Sequence, residues 1–190
     1  MFSFKVGYVT VDFTPLVIAF FVAIVGGILY KFFLSKRNKK LAELCCKGEY
    51  SDLIVLAEKQ LNHYQFPLRI KKKHTKFMIE TIHLFLAISY FALSNDELFI
   101  HNMTQVADNN PEKHFWLALF YLLKKDLINF QAQYDILSSK CINENYLLYL
   151  TSIEKLQEGD DADARIVLSS LKPKLNYKLL QDISQKIINQ

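Results

Sequence analysis

The sequence predicts an all-α protein, in which a transmembrane helix precedes an α-solenoid of antiparallel helix pairs that ends in a capping helix. Two observations predict this fold class. Between Asp12 and Lys31, eighteen consecutive residues carry no charge. After this stretch the apolar residues recur at helical spacing. No segment of residues 41–190 alternates apolar and polar residues as a half-buried strand would.

The predicted transmembrane helix covers residues 14–34. A helix needs about 20 mostly apolar residues to cross the hydrocarbon core of a bilayer, and the stretch from Pro15 to Leu34 has that length. Thr14 can serve as the N-cap and Pro15 as the first helical residue. A cleaved signal peptide or a buried core helix fits less well, because the positive charge follows the apolar stretch instead of preceding it.

The residues that flank this helix predict its orientation. Residues 1–13 contain a single basic residue, Lys5. The juxtamembrane segment, residues 35–40, contains Lys36, Arg37, Lys39 and Lys40. Because cytoplasmic flanks accumulate Lys and Arg, we expect the N-terminus outside and the domain of residues 41–190 in the cytoplasm. The three cysteines, two of them adjacent, also fit a reducing compartment.

Small residues recur along one side of the predicted transmembrane helix. Ala19, Ala23 and Gly27 are spaced by four residues, which places them on one stripe where a second helix can approach closely. We predict a helix-packing site there; the alternative is an ordinary lipid-facing helix.

Turn signals divide residues 41–190 into about nine helices of ten to twenty residues. They lie near Gly48, Asn95, Pro111, Lys125, Asn143, Gly159 and Pro173. The last helix, near Leu175 to Ile188, has one apolar and one polar face, which is typical of a terminal cap. Nothing marks an internal boundary, so we predict a single domain.

Alternate turns recur at a nearly constant interval. Asn95 and Lys125 are thirty residues apart, and Lys125 and Gly159 are thirty-four apart. The interval from Gly48 to Asn95 is longer, forty-seven residues, because of a basic insert at residues 66–76. A period near 34 residues is that of tetratricopeptide helix pairs.

The residues at these turns resemble the tetratricopeptide family. Its units carry a small residue where the helices cross, an aromatic residue three positions later, and a Gly-x-aromatic turn before the second helix. The matching positions here are Gly48 with Tyr50, Phe91 with Ala107, Ala118 with Tyr121 and Tyr134, and Gly159 with Ala164. Asn95 and Lys125 stand in place of the glycine in the second and third units.

The resemblance covers about residues 39–171 and implies a scaffold of helix pairs that binds protein partners. Another helical repeat or a helix bundle is the alternative fold.

Positive charge is concentrated near the predicted membrane surface. Residues 35–76 carry eleven Lys and Arg against four Asp and Glu, a net charge of +7, and residues 77–190 carry ten against fourteen, a net charge of −4. Basic residues beside a bilayer bind anionic lipid headgroups with about 1 kcal/mol each. We predict contact with anionic lipid or an acidic partner; a solvated face is the alternative, and we expect no nucleic-acid binding. The predicted membrane-surface residues are Lys36, Arg37, Lys39, Lys40, Arg69, Lys71, Lys72, Lys73 and Lys76.

The sequence carries no recognisable catalytic, metal or cofactor motif. The five histidines form no i, i+4 pair and have no Cys-x-x-Cys beside them, so a zinc site has no support. Asp160, Asp161 and Asp163 lack the glycine and the distal glutamate of a calcium loop. The five glycines form no phosphate-binding loop. We therefore predict no cofactor, no metal and no enzymatic activity.

Aromatic residues are dense between residues 115 and 149. Most of them must be core, but Trp116 neighbours Phe115, and we expect only one of two adjacent helical residues to face fully inward. We predict that Trp116, Tyr146 and Tyr149 line a groove and anchor a partner peptide or helix.

Two functions are consistent with this organisation. The first is a single-pass membrane adaptor that presents a helical-repeat surface to a cytoplasmic protein partner. The alternative is a structural subunit of a larger membrane complex, such as translocation, secretion or division machinery, which assembles through a transmembrane helix partner. The identity of the membrane, bacterial or organellar, stays open.

Overall fold

The computed structural model describes residues 3–6, 9–12, 36, 38–65, 72–140, 144–159 and 162–189. The chain divides into two compact units, Met1–Lys40 and Leu41–Gln190. The predicted transmembrane helix, with Ala19, Ala23 and Gly27, lies outside the described residues. Within the part of the chain that is described, no helix is long and apolar enough to cross a membrane.

A short β-hairpin occupies the N-terminal unit. Strand β1, Ser3–Val6, pairs antiparallel with β2, Val9–Asp12, and Phe4 lies opposite Val11. We predicted no strand, so the all-α prediction holds only for the helical domain. Two four-residue strands are too short to give a periodic signal.

Nine α-helices account for most of the described residues from 38 onward. The helix α1 spans 38–47. It is followed by α2 Tyr50–Gln65, α3 Lys72–Ala92, α4 Asp96–Thr104, α5 Pro111–Leu123, α6 Leu127–Ser139, α7 Glu144–Glu158 and α8 Ala162–Leu171. A 3₁₀ turn, Lys172–Lys174, leads into α9, Lys178–Ile188.

The turns inside the helix pairs α1–α2, α3–α4, α5–α6 and α7–α8 share one backbone feature. Each contains one residue in the left-handed region: Gly48 at φ 78°, Ser94 at 58°, Lys125 at 60° and Gly159 at 90°. In the first three turns this residue donates to a carbonyl three positions back, and the next residue donates to one five positions back. This is the Schellman ending of a helix.

The left-handed residue of the second pair is Ser94, one position before the residue that the sequence predicts. The sequence predicts Asn95 at this position. Instead, Asn95 is the N-cap of α4 and its side chain accepts a hydrogen bond from the Leu98 amide at 3.1 Å. Asp126 does the same for α6, accepting from the Asn129 amide at 3.2 Å. Counted from Ser94, the interval to Lys125 is thirty-one residues.

Burial repeats in register with these turns. The residue seven positions before the left-handed residue is buried in all four pairs: Leu41, Ala87, Ala118 and Ser152. So is the residue five positions after it: Leu53, Phe99, Phe130 and Ala164. The residue twelve positions after it is Gln60, Val106, Leu137 or Leu171, again buried. Nine of these twelve residues belong to one continuous hydrophobic core, and the exceptions are Gln60, Ser152 and Ala164.

Consecutive pairs contact each other: α2 packs against α3, α3 contacts α5, and both α5 and α6 contact α7. The C-terminal helix α9 contacts α8, as a cap would. It also reaches the first pair, since a Cβ on Gly48 would lie only 3.2 Å from Cγ of Lys178. The last helix therefore bridges the end of the domain to its beginning.

Candidate functional site

Trp116 is fully buried, so the prediction that it faces outward is wrong. Phe115 is also fully buried. Both can be buried because α5 has neighbours on opposite sides: Phe115 stacks on Tyr146 with ring centres 4.1 Å apart, and Trp116 meets Tyr177 edge to face at 5.3 Å. A helix that is apolar on all sides is typical of a core position.

The two tyrosines of the predicted site are also drawn into this packing. Tyr149 is fully buried and its hydroxyl donates to the carbonyl of Leu180 in α9 at 3.0 Å. Burial raises its pKa well above the ordinary value. Tyr146 is half-buried, and burial raises its pKa to about 12. Neither side chain presents a fully exposed aromatic anchor.

The predicted groove residues lie beneath the protein's own C-terminal segment, residues 175–188. Tyr177 contacts Trp116 and donates a hydrogen bond to Oε2 of Glu112 at 2.8 Å. Leu180 and Ser184 are fully buried in α9. A helix therefore covers these residues, but it belongs to the same chain and not to a partner.

The predicted membrane-surface residues remain a prediction. Lys36, Lys39 and Lys40 are exposed, and Lys76 is exposed with its ammonium 3.8 Å from Glu80. Lys72 and Lys73 open α3. Arg37, Arg69 and Lys71 lie outside the described residues.

A cavity of about 740 Å³ opens along the row of turns. The left-handed residues Ser94, Lys125 and Gly159 all line it, so it spans the second, third and fourth helix pairs. Apolar side chains supply part of its wall, among them Phe91 and, from α9, Ile183. This volume is that of an ordinary ligand pocket.

The cavity carries an excess of positive charge. Four cationic side chains line it, and Asp96 is the one carboxylate among the described residues of its wall. The cations are Lys124, Lys125, Arg165 and Lys186. Sequence reasoning missed this cluster because these residues come from two helix pairs and α9, and the net charge of residues 77–190 is negative.

Two histidines make equivalent contacts in the inner pairs. Nδ1 of His83 lies 2.8 Å from Oδ1 of Asn102, and Nδ1 of His114 lies 2.8 Å from Oε1 of Gln133. Both pairs are nineteen residues apart in sequence, and the two histidines are thirty-one apart. Each histidine links the first helix of its pair to the second. The thirty-one-residue spacing of the two histidines is a sign of the repeat that can be read from the sequence.

The remaining reactive groups are dispersed. Among the described residues no group of three His, Cys, Asp or Glu side chains could hold a metal ion. Cys45 is buried, and burial raises its pKa to about 12, which leaves the thiol protonated and a poor nucleophile near neutral pH.

Comparison with family models, with curated proteins and with solved structures finds no match for this chain.

Proposed function

We propose that this protein is a single-pass membrane adaptor whose helical domain, a degenerate array of tetratricopeptide-like pairs, recruits a protein partner on the cytoplasmic side. The observation that carries this proposal is the recurrence of a left-handed residue in the turn, and of one set of buried positions, over four helix pairs. Such an array provides a long surface with few specialised residues.

The proposed membrane attachment comes from the uncharged stretch before α1, and the proposed orientation from the basic residues after it. With this orientation, the positively charged residues 35–76 follow the membrane directly, and the negatively charged residues 77–190 come later in the chain. This arrangement leaves the distal pairs free for a partner.

Site-specific photo-crosslinking in native membranes tests the adaptor function. Ile128, Val55 and Ile166 are 85%, 68% and 67% exposed and lie in the second helices of three pairs, so a photoreactive residue there leaves the core intact. Scanning neighbouring exposed positions should give a discrete protein adduct from one contiguous surface. Absence of any protein adduct over the whole helical domain would rule out the adaptor.

The second candidate is a subunit that assembles through its transmembrane helix, favoured by the spacing of Ala19, Ala23 and Gly27. Replacing Ala23 and Gly27 with Leu should then disperse the assembly in native gels while the helical domain keeps its circular dichroism. The control replaces Val22 and Val25 with Leu, because these positions already carry larger side chains and lie off the small-residue stripe. An assembly of unchanged size in the first variant would exclude this candidate.

A further inference from the structure

We infer that the cavity along the turns binds a short acidic peptide segment of the partner, in extended conformation. This inference rests on the proposed adaptor function and assigns its binding site. The occupied surface beneath α9 is not available for that purpose, because Tyr177, Leu180 and Ser184 already fill it. The cavity is open and lies beside it.

The charge of the cavity selects the sign of the ligand. Two of its cations are committed: Lys124 forms an ion pair with Asp96, and Arg165 donates to the carbonyl of Ile188. Lys125 and Lys186 are exposed and have no ion pair with any residue that the structure describes. A carboxylate placed between them gains attraction in a partly enclosed site, where it is screened less than on a flat surface.

The walls of the cavity select against a simple polyanion. Leu123, Leu156 and Ile187 line it together with the cations, so a ligand must offer apolar side chains as well as negative charge. Residues 77–190 carry more acidic than basic residues, which repels a long polyanion such as nucleic acid outside the cavity. A peptide that alternates acidic and aliphatic residues satisfies both conditions.

The repeat geometry sets the length of the segment. Packed helices lie about 8–10 Å apart, and an extended peptide advances about 3.3 Å per residue. About three residues therefore pass from one turn to the next, and a segment of about six to eight residues crosses the turns of Ser94, Lys125 and Gly159.

The test uses the full chain in nanodiscs of phosphatidylcholine and a library of random eight-residue peptides built from Asp, Glu, Leu, Lys and Ser. Peptides that combine acidic residues with Leu should be enriched, with affinity that falls as salt rises. The decisive variant combines Lys125→Gly, which keeps the left-handed turn, with Lys186→Ala. It should weaken the best peptide at least tenfold.

The control variant, Lys59→Ala with Lys155→Ala, removes the same charge from two exposed lysines outside the cavity and should leave the affinity unchanged. Enrichment without acidic residues, or equal binding by both variants, would overturn the inference. Full competition by inorganic phosphate would also overturn it. The same holds if the decisive variant, but not the control variant, loses binding to phosphatidylserine vesicles. A photo-crosslinked partner that the decisive variant retains would refute this site while leaving the adaptor function standing.

Discussion

The first and third helix pairs share a backbone and differ in what fills it. Both turn through a left-handed residue, Gly48 or Lys125, and both bury the same positions before and after it. The third pair contains Trp116 and a histidine held by an amide, whereas the first buries Gln60 where the others have an aliphatic side chain. The repeated geometry therefore constrains the backbone more strongly than the residues.

The two pairs also differ in how their buried polar groups are satisfied. In the third pair His114 contacts Gln133 on one side and the carbonyl of Asp108, 2.7 Å away, on the other, although Nε1 of Trp116 has no partner among the described residues. In the first pair both amide atoms of Gln60 lack a described partner. An unsatisfied primary amide loses more hydrogen bonds than a single indole N–H, so the pair beside the predicted membrane surface should be the less stable one.

The largest expected effect comes from truncating the centre of the third pair. Trp116→Ala should lower the free energy of unfolding by about 3–5 kcal/mol, because it removes a fully buried aromatic side chain. Thermal unfolding of the full chain in micelles, followed by circular dichroism, measures the loss. Trp116→Phe keeps most of the volume and should lose less. A small loss in the Ala variant would mean that Trp116 is on the surface after all.

In the first pair, Gln60→Leu should raise the free energy of unfolding by about 1–3 kcal/mol, since it replaces an unsatisfied buried amide by an apolar group of similar size. The same unfolding assay measures the gain. Gln157→Leu, on an exposed position of α7, is the control and should change stability little. A loss of stability in the Gln60 variant would reveal a hydrogen-bond partner for this amide and remove the contrast between the pairs.

His114→Leu should destabilise the third pair by about 1 kcal/mol, because Oε1 of Gln133 loses its contact with the ring, whereas the Asp108 carbonyl keeps its hydrogen bond from Lys140. Amide hydrogen exchange should accelerate first in α5 and α6, the helices that the histidine links. His101→Leu changes an exposed histidine and serves as the matched control. Equal effects of the two substitutions would show that the repeated histidine contact does not stabilise the pair.

The smallest effects concern the turns and have opposite signs. Gly48→Ala should cost about 1–2 kcal/mol, because a Cβ is unfavourable at positive φ and would also press on Lys178. Gly159→Ala should cost less, since a Cβ there meets no atom within 4 Å. Lys125→Gly should gain up to about 1 kcal/mol by relieving the strained conformation. Melting temperatures in this order would support the equivalence of the turns; a destabilised Lys125→Gly variant would contradict it.

Much of the helical domain could be predicted from the sequence, because local signals specify it. Apolar spacing identified the helices, and Gly48, Lys125 and Gly159 were placed correctly at the turns. The second turn was misplaced because Asn adopts the left-handed conformation more readily than Ser, so Asn95 was the natural choice. Here Asn95 serves as an N-cap, a role that Asn also favours.

The candidate site was less accessible to sequence reasoning, because it depends on long-range packing. The partner-binding prediction for Trp116 and Tyr149 treated α9 as a cap on the last pair alone. The contacts of Tyr177 and Leu180 with α5 and α7 cannot be read from periodicity. The basic cavity likewise exists only once Lys125 and Lys186, sixty-one residues apart in sequence, line the same space.

The position of Lys178 over Gly48 affects how the domain is made. These residues are 130 apart in sequence, and translation at about 5–20 residues per second separates their synthesis by roughly 7–26 s. Throughout this interval Trp116 and Tyr149, once synthesised, lack the helix that covers them. The nascent chain therefore exposes an aromatic surface to chaperones until its final helix emerges from the ribosome.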